Sequence, residues 1–214
     1  MTRSDVSKPQ RRTQEQRSTE TRIRLLDATI ECLVEFGYAG TTTPRVAELA
    51  GVTRGAQVHH FGSKTDLVVA AISHLAQRRT EAAMREIARV RTGDDPLGST
   101  LEFMWELHQG PLFIAAIELW VASRTDPVLA TEMEKVEPFV NNAVLLAVAQ
   151  LVPNELHRKS VRDFTYTAMD TLRGILVTDF ISPDPARAHR RWLRASAQLR
   201  LAAESAVPDL RLAD

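Results

Sequence analysis

The stretch "GVTRGAQVHHFGSK", residues 51–64, holds the chain's densest set of groups suited to recognition chemistry. Wound as a helix after Thr53, it puts Thr53, Arg54, Gly55, Val58 and His59 on one face and turns Gln57 and His60 inward. Hydroxyl, guanidinium and imidazole groups on one outward face suit hydrogen bonds to phosphates and base edges. The rest of the chain offers no reactive set to rival it. His59 and His60 are adjacent and diverge on a helix, so they form no metal-spaced pair. No Gly-rich phosphate loop lies between a strand and a helix, and no Ser/His/Asp or Cys/His set has supporting spacing. No metal and no cofactor are expected.

An outward face of this kind must be held proud of the surface by a second short helix crossing it steeply. Where the two touch a small residue is needed, and glycine helps the turn. Ala47 supplies the small contact, Gly51 the turn, and Val46, Ala50 and Val52 the packing. "TTT" at 41–43 offers an N-cap and Pro44 suits the first helical position. Thr53 can cap the following helix, which should run to about His60 or Phe61. Ser63 with Asp66 resembles a capping box that opens a long helix to about Val90. Upstream, Ile23, Leu26, Ile30, Leu33 and Val34 recur at three- and four-residue steps, which makes an amphipathic helix ended by Gly37. Gln57 leaves two readings open: an inward stem with its amide bonded to backbone or His60, or a side chain that swings out to read adenine. His60 is expected to be a buried histidine bonded to backbone.

The chain has 214 residues, 44% of them apolar, enough to bury a substantial core. Ala, Leu, Arg and Glu fall at helical spacing, so the fold should be all-α. A formal net charge of zero excludes a nucleic-acid binder that is basic throughout. The basic excess sits at the start, in Arg3, Lys8, Arg11, Arg12, Arg17, Arg22 and Arg24, as either a solvated tail or an arm that meets phosphates. Cys32 is the only cysteine, which rules out an intrachain disulfide, and it falls in a helical apolar pattern as a small core residue. No apolar run approaches membrane-spanning length and no signal-peptide core is present, so a cytoplasmic location is expected.

With these elements in register, "TTTPRVAELAGVTRGAQVHHFGSKTDLVVAAI" resembles the DNA-binding signature of TetR-family transcriptional regulators. The resemblance covers about residues 18–70. It rests on Thr-Thr, Ala47, Gly51-Val52-Thr53, Gly55, His60-Phe61 and Lys64 together. It implies a homodimeric, mostly repressor-type regulator that leaves a pseudo-palindromic operator when a small molecule binds its C-terminal domain. The DNA-facing set is then Thr42, Thr43, Arg45, Thr53, Arg54, Gly55, Gln57, Val58, His59 and Lys64. Thr43 and Thr53 at helix N-termini suit phosphate oxygens, and Lys64 reaches the backbone as a point charge. Arg54 matches guanine O6 and N7, Gly55 allows close approach, and His59 can donate to a phosphate. The sequence departs from the family at Gln57-Val58, where Leu-Tyr is common, and at Gly62, where Pro is frequent. Val58 can meet a thymine methyl in place of the lost Tyr contact.

Three parts are therefore expected: a flexible basic arm over 1–17, a three-helix helix-turn-helix domain over 18–63, and a larger helical effector-binding and dimerisation domain over 64–214. "TGDDP" at 92–96 marks a boundary, followed by helices near 97–109, 111–124, 127–152, 155–181 and 184–206. Candidate effector residues are Met104, Trp105, His108, Phe113, Ile117, Trp120, Met133, Val136, Val140, Asn142 and Arg173, with Glu118 as a further polar group. Met with rigid Trp suits an apolar or aromatic ligand, although such stripes also simply make core. Phe164, Ala168, Leu172, Ile175, Trp192, Ala195 and Leu199 are the candidate dimer interface, with Arg187, Arg190, Arg191 and Arg194 able to pair with Asp163, Asp170 or Asp179 across it. A helical scaffold or signalling bundle would account for the amphipathic helices but not for Ala47, Gly51, Thr53 and Lys64 in register. A helical enzyme lacks a reactive set.

Overall fold

The computed structural model describes residues 13–90, 95–149 and 158–206. These form α1 (Gln14–Gly40), α2 (Thr43–Leu49), α3 (Arg54–His60), α4 (Lys64–Val90), α5 (Pro96–Leu107), α6 (Pro111–Ser123), α7 (Pro127–Ala149), α8 (Arg158–Val177) and α9 (Arg187–Ala206). Among the described residues there is no strand, and the all-α expectation holds. No helix is long and apolar enough to cross a membrane among them.

The caps explain the boundaries. Thr13 and Gln16 make a reciprocal capping box at the start of α1. Residues 14–17, expected in a flexible arm, are therefore helical; residues 1–12 lie outside the described residues. Gly37 breaks α1 with φ 66° and ψ 178°, a backbone conformation essentially restricted to glycine. Thr42 and Thr53 cap α2 and α3 by accepting from the N–H groups of Arg45 and Ala56. Ser63 and Asp66 exchange the two bonds of the expected box before α4. Further on, α8 stops at Val177, short of 181, because residues 178–181 form turns. α9 starts at Arg187, after Asp184 accepts from the Ala186 N–H. The helix end expected at 152 lies outside the described residues.

Three apolar clusters hold the helices together. Leu25, Cys32, Val46, Ala50, Phe61 and Leu67 form the core of the N-terminal head. Ile30, Leu33, Val68, Ile72, Leu119 and Leu129 join α1 and α4 to α6 and α7. Phe103, Met104, Leu172 and Trp192 lie in the third, among α5 to α9. α4 enters the first two clusters and packs along α7 and α5, so one rigid element runs from the head into the body.

Candidate nucleic-acid interface

The head carries α3 outward. Thr53, Arg54, Gly55, Val58 and His59 are exposed, Val58 to 53%, and Thr42 and Arg45 are exposed at the start of α2. A Cβ on Gly55 would meet nothing closer than the Thr53 hydroxyl at 3.9 Å, so the backbone there can be approached closely. Behind this face Val46, Ala47 and Ala50 are buried, as the steep crossing of two short helices requires.

Gln57 does not belong to the face. It is 1% exposed, and its amide Nε2 donates to the Phe61 carbonyl oxygen at 2.7 Å. The placement corrects its inclusion in the DNA-facing set. Position 57 is one helical turn past Thr53, on the buried side of α3, which packs on α2 and α1, and the α3 C-terminus supplies the acceptor that a buried amide needs. His60 also departs from expectation. It is half-buried, its ring lies against His59 and Phe61 at 5.5 and 6.4 Å, and no backbone bond to it is found among the described residues. Burial, His59 and Arg22 all push its pKa down.

Two arginines read as part of a basic arm have structural posts. Arg24 Nη2 donates to the carbonyl oxygens of Ala50 and Gly51, closing the C-terminus of α2 at the turn. Gly51, at φ 61°, is where a Cβ would come within 2.9 Å of that guanidinium. Arg22 lies over the Phe61 ring at 5.2 Å. Arg45 folds over Phe36 at 4.2 Å and bonds the Gly40 carbonyl. Lys64 is half-buried: its ammonium donates to the Tyr38 carbonyl at 2.7 Å and stands 4.1 Å from the Tyr38 ring. That engagement replaces the outward reach expected of it, and burial lowers its pKa against the pull of Asp126.

Tyr38 is the hub of the junction between head and body. Its N–H donates to Glu118 Oε2 at 3.2 Å and its hydroxyl to Asp126 Oδ2 at 2.8 Å. Burial, then the bond to Asp126, pushes the phenol up to about 12. The Leu129 N–H, then the Tyr38 hydroxyl, holds the Asp126 carboxyl below the usual range. Glu118 is thus spent on α1 and not on an effector. Sequence periodicity carries no signal for this contact, because its partners are 80 and 88 residues apart.

In the body, Met104, His108, Phe113, Ile117 and Met133 are buried and Trp105, Trp120 and Arg173 half-buried. They do not all gather round one space. Met104, Phe113 and Ile117 belong to the third core cluster, with Trp105 packed against it. Trp120 and Met133 line a cavity of about 30 Å³ between α4, α6 and α7, together with Leu75, Leu119, Arg79 and Glu137. Asn142 is exposed and is corrected by its neighbour: Asn141 points inward and accepts from Arg173 Nη2 at 2.8 Å. The side chains of Val136 and Val140 lie outside the described residues. Arg79 was missed, though a charge at the inward step of Ile72, Leu75, Ala76 and Arg79 was its available signal.

The expected dimer face is turned the wrong way. Ala168, Leu172, Ile175 and Trp192 are buried in the chain's own core, and Phe164, Ala195 and Leu199 pack against it. The apolar stripes of α8 and α9 satisfy each other and α5, which leaves the opposite faces for any partner. Those faces expose Tyr166, Val177, Leu193 and Leu201, with Phe180 and Ile181 in the turn between. The arginines also pair within the chain, Arg187 with Asp179 at 3.7 Å and Arg190 with Asp184 at 2.5 Å, while Arg191 donates to the Thr178 hydroxyl.

Residues 25–71 match the family model described as bacterial regulatory proteins, tetR family. The HTH-type transcriptional regulator CymR of Pseudomonas putida is 32% identical over 185 residues, 85% of this chain and 90% of that protein. The HTH-type transcriptional repressor AcnR of Corynebacterium glutamicum is 33% identical over 105 residues, 45% of this chain and 56% of the repressor. In fold, a transcriptional regulator from Rhodococcus has a TM-score of 0.66 at 20% identity, with 86% of this chain and 96% of the other covered.

Proposed function

The chain belongs to the TetR family of transcriptional regulators and is not an enzyme; from that premise we propose that it is a cytoplasmic repressor that binds a pseudo-palindromic operator as a homodimer and leaves it when a small effector enters the helical body. The observation that carries this reading is the exposed face of α3, where Thr53, Arg54, Gly55, Val58 and His59 stand clear of a head in which Arg24 and Gln57 are spent on internal bonds. Arg54 reads a guanine edge, Val58 meets a thymine methyl, and Thr42, Thr53 and His59 fix register on phosphates. The exposed faces of α8 and α9 form the dimer, which sets two heads at a fixed spacing.

Release follows from the mechanics of α4. Its first residue is tied to Tyr38 at the head, and its middle lines the cavity of the body. An effector that enlarges the cavity displaces α4 and changes the separation of the two heads, so the pair ceases to fit the operator although neither head is damaged.

Selection of bound fragments from genomic DNA tests the reading. A recovered pseudo-palindrome, bound with steep salt dependence and with preference lost on Arg54→Ala, is the expected result. Retention of all fragments alike, or of none, sinks it.

A further inference from the structure

The cavity of the body carries a buried cation that has no counter-ion among the described residues. Arg79, on α4, is only 4% exposed, and its Nε has no hydrogen-bond partner. No carboxylate pairs with it among the described residues. The charge that acts on it is another arginine, Arg173, and burial together with that repulsion pulls its pKa down to about 10. Arg173 holds Asn141, stacks on Trp120 at 4.8 Å and reaches the exposed Asp170 at 3.7 Å, yet its Nε is also unpartnered. His108 completes the group. It is 1% exposed, its Nδ1 bonds the Met104 carbonyl, and Nε2 is left with no partner. Glu137 lies at the same cavity but is exposed, and its charge bears on Arg173, not on Arg79.

Keeping a guanidinium in an apolar wall with no anion beside it is costly, and an aliphatic side chain of similar length would pack there better. The cost is recovered when a ligand brings the missing charge. Arginine's planar fork binds a carboxylate through two parallel bonds, a strong and directional pairing once water is excluded. Apart from Glu137, which is exposed, the other walls, among them Leu75, Leu119, Trp120 and Met133, are apolar.

We propose that the effector is a small organic carboxylate with an apolar body, its carboxylate paired with Arg79 and its body against Trp120, Leu119 and Met133. This rests on the reading of the cavity as the effector site. In the structure the cavity has room for little more than a water molecule, so entry of such a ligand must part α4 from α6 and α7. Arg79 is the point at which the ligand grips the helix that ends at the head.

The test uses the full chain and matched probes: butyrate, octanoate, benzoate and phenylacetate, the neutral amide of each, and benzamidine as a cation. Thermal melting and release of the selected operator are both read. At least one carboxylate is expected to raise the melting temperature and release DNA where its amide does neither, with apparent affinity falling at least about tenfold in Arg79→Met, as loss of a charged pairing predicts. Arg79→Met without ligand is expected to melt no lower than the native chain, which separates loss of binding from loss of fold. Arg79→Lys keeps the charge without the fork and should fall between the two. Amides that act as well as their acids, a preference for benzamidine, or undiminished binding by Arg79→Met overturns the carboxylate assignment and leaves the effector cavity standing. No shift with any probe overturns both.

Discussion

The Tyr38 hydroxyl donates to Asp126 at 2.8 Å, and through this bond the end of α1 is fastened to the start of α7. The same tyrosine accepts Lys64 on its carbonyl, so head, α4 and body meet at one residue. Tyr38→Phe removes only the hydroxyl and keeps the ring under the Lys64 ammonium. Its stability cost is expected to be small, about 0.5–1.5 kcal/mol, the usual net worth of one hydrogen bond. Operator affinity without effector should stay near native while release by effector weakens, measured as a higher effector concentration for half-release. Native release in this variant would remove Tyr38 from the transmission path.

Gly37→Ala addresses the same junction through the backbone. Its φ of 66° suits glycine, and a Cβ would stand 2.8 Å from Glu118 Oε2, itself bonded to the Tyr38 N–H. Strain of about 1–3 kcal/mol is expected, read as a lower melting temperature. A second substitution, Glu118→Ala, should recover little of it, since the positive φ remains. Full recovery would assign the cost to the clash alone.

Gln57 separates packing from base reading. Gln57→Leu keeps the volume and removes the amide bond to Phe61, so stability should stay within about 1 kcal/mol of native. Gln57→Ala leaves a hole and should cost about 2–4 kcal/mol. Operator base preference, compared by selection on all three chains, is expected to be the same. A shift at one base position would return Gln57 to the DNA-facing set.

Much of the head was legible in sequence because its determinants are local. The caps at Thr42, Thr53 and Ser63, the turn at Gly51 and the outward step of Arg54, Val58 and His59 follow from spacing within a few residues. Arg24 shows where such reading stops: its charge suggested phosphate, but a turn 26 residues away claims it. The dimer face failed for a related reason. An apolar stripe shows that a helix buries one side and says nothing about whose surface covers it, and Leu172 and Trp192 are covered by their own chain. Arg79 stood in the inward register in plain view, yet one charge among several on a helix reads as solvated until its burial is known.

His108 sets an acid limit on the body. Burial first, then the charges of Arg79 and Arg173, brings its pKa down to about 3 against an ordinary 6.5. The unfolded chain therefore takes up this proton at a pH where the folded chain refuses it. The stabilising effect of keeping it neutral is whole above about pH 6.5 and declines as pH falls toward 3, by at most about 1.4 kcal/mol per pH unit. His108→Gln, whose amide can still donate to the Met104 carbonyl, should flatten that part of the stability profile. Urea melts of both chains across this range provide the measurement, and parallel profiles would contradict it.

The proposed homodimer places the outward face of α9 at its interface. Leu193 and Leu201 are 51% and 55% exposed and lie eight residues apart, close to two helical turns, so they share one side. Being exposed within the chain, they can be changed with little effect on its own packing. Leu193→Asp with Leu201→Asp places two charges where a self-complementary interface would bury them unpaired, which dimerisation tolerates poorly. Light scattering is expected to report a monomer whose helical content and melting are close to native. Affinity for the full operator should fall well over tenfold, as the second head is lost, while weak binding to a half-site survives. A dimer that persists in this variant would mean that other surfaces join the subunits.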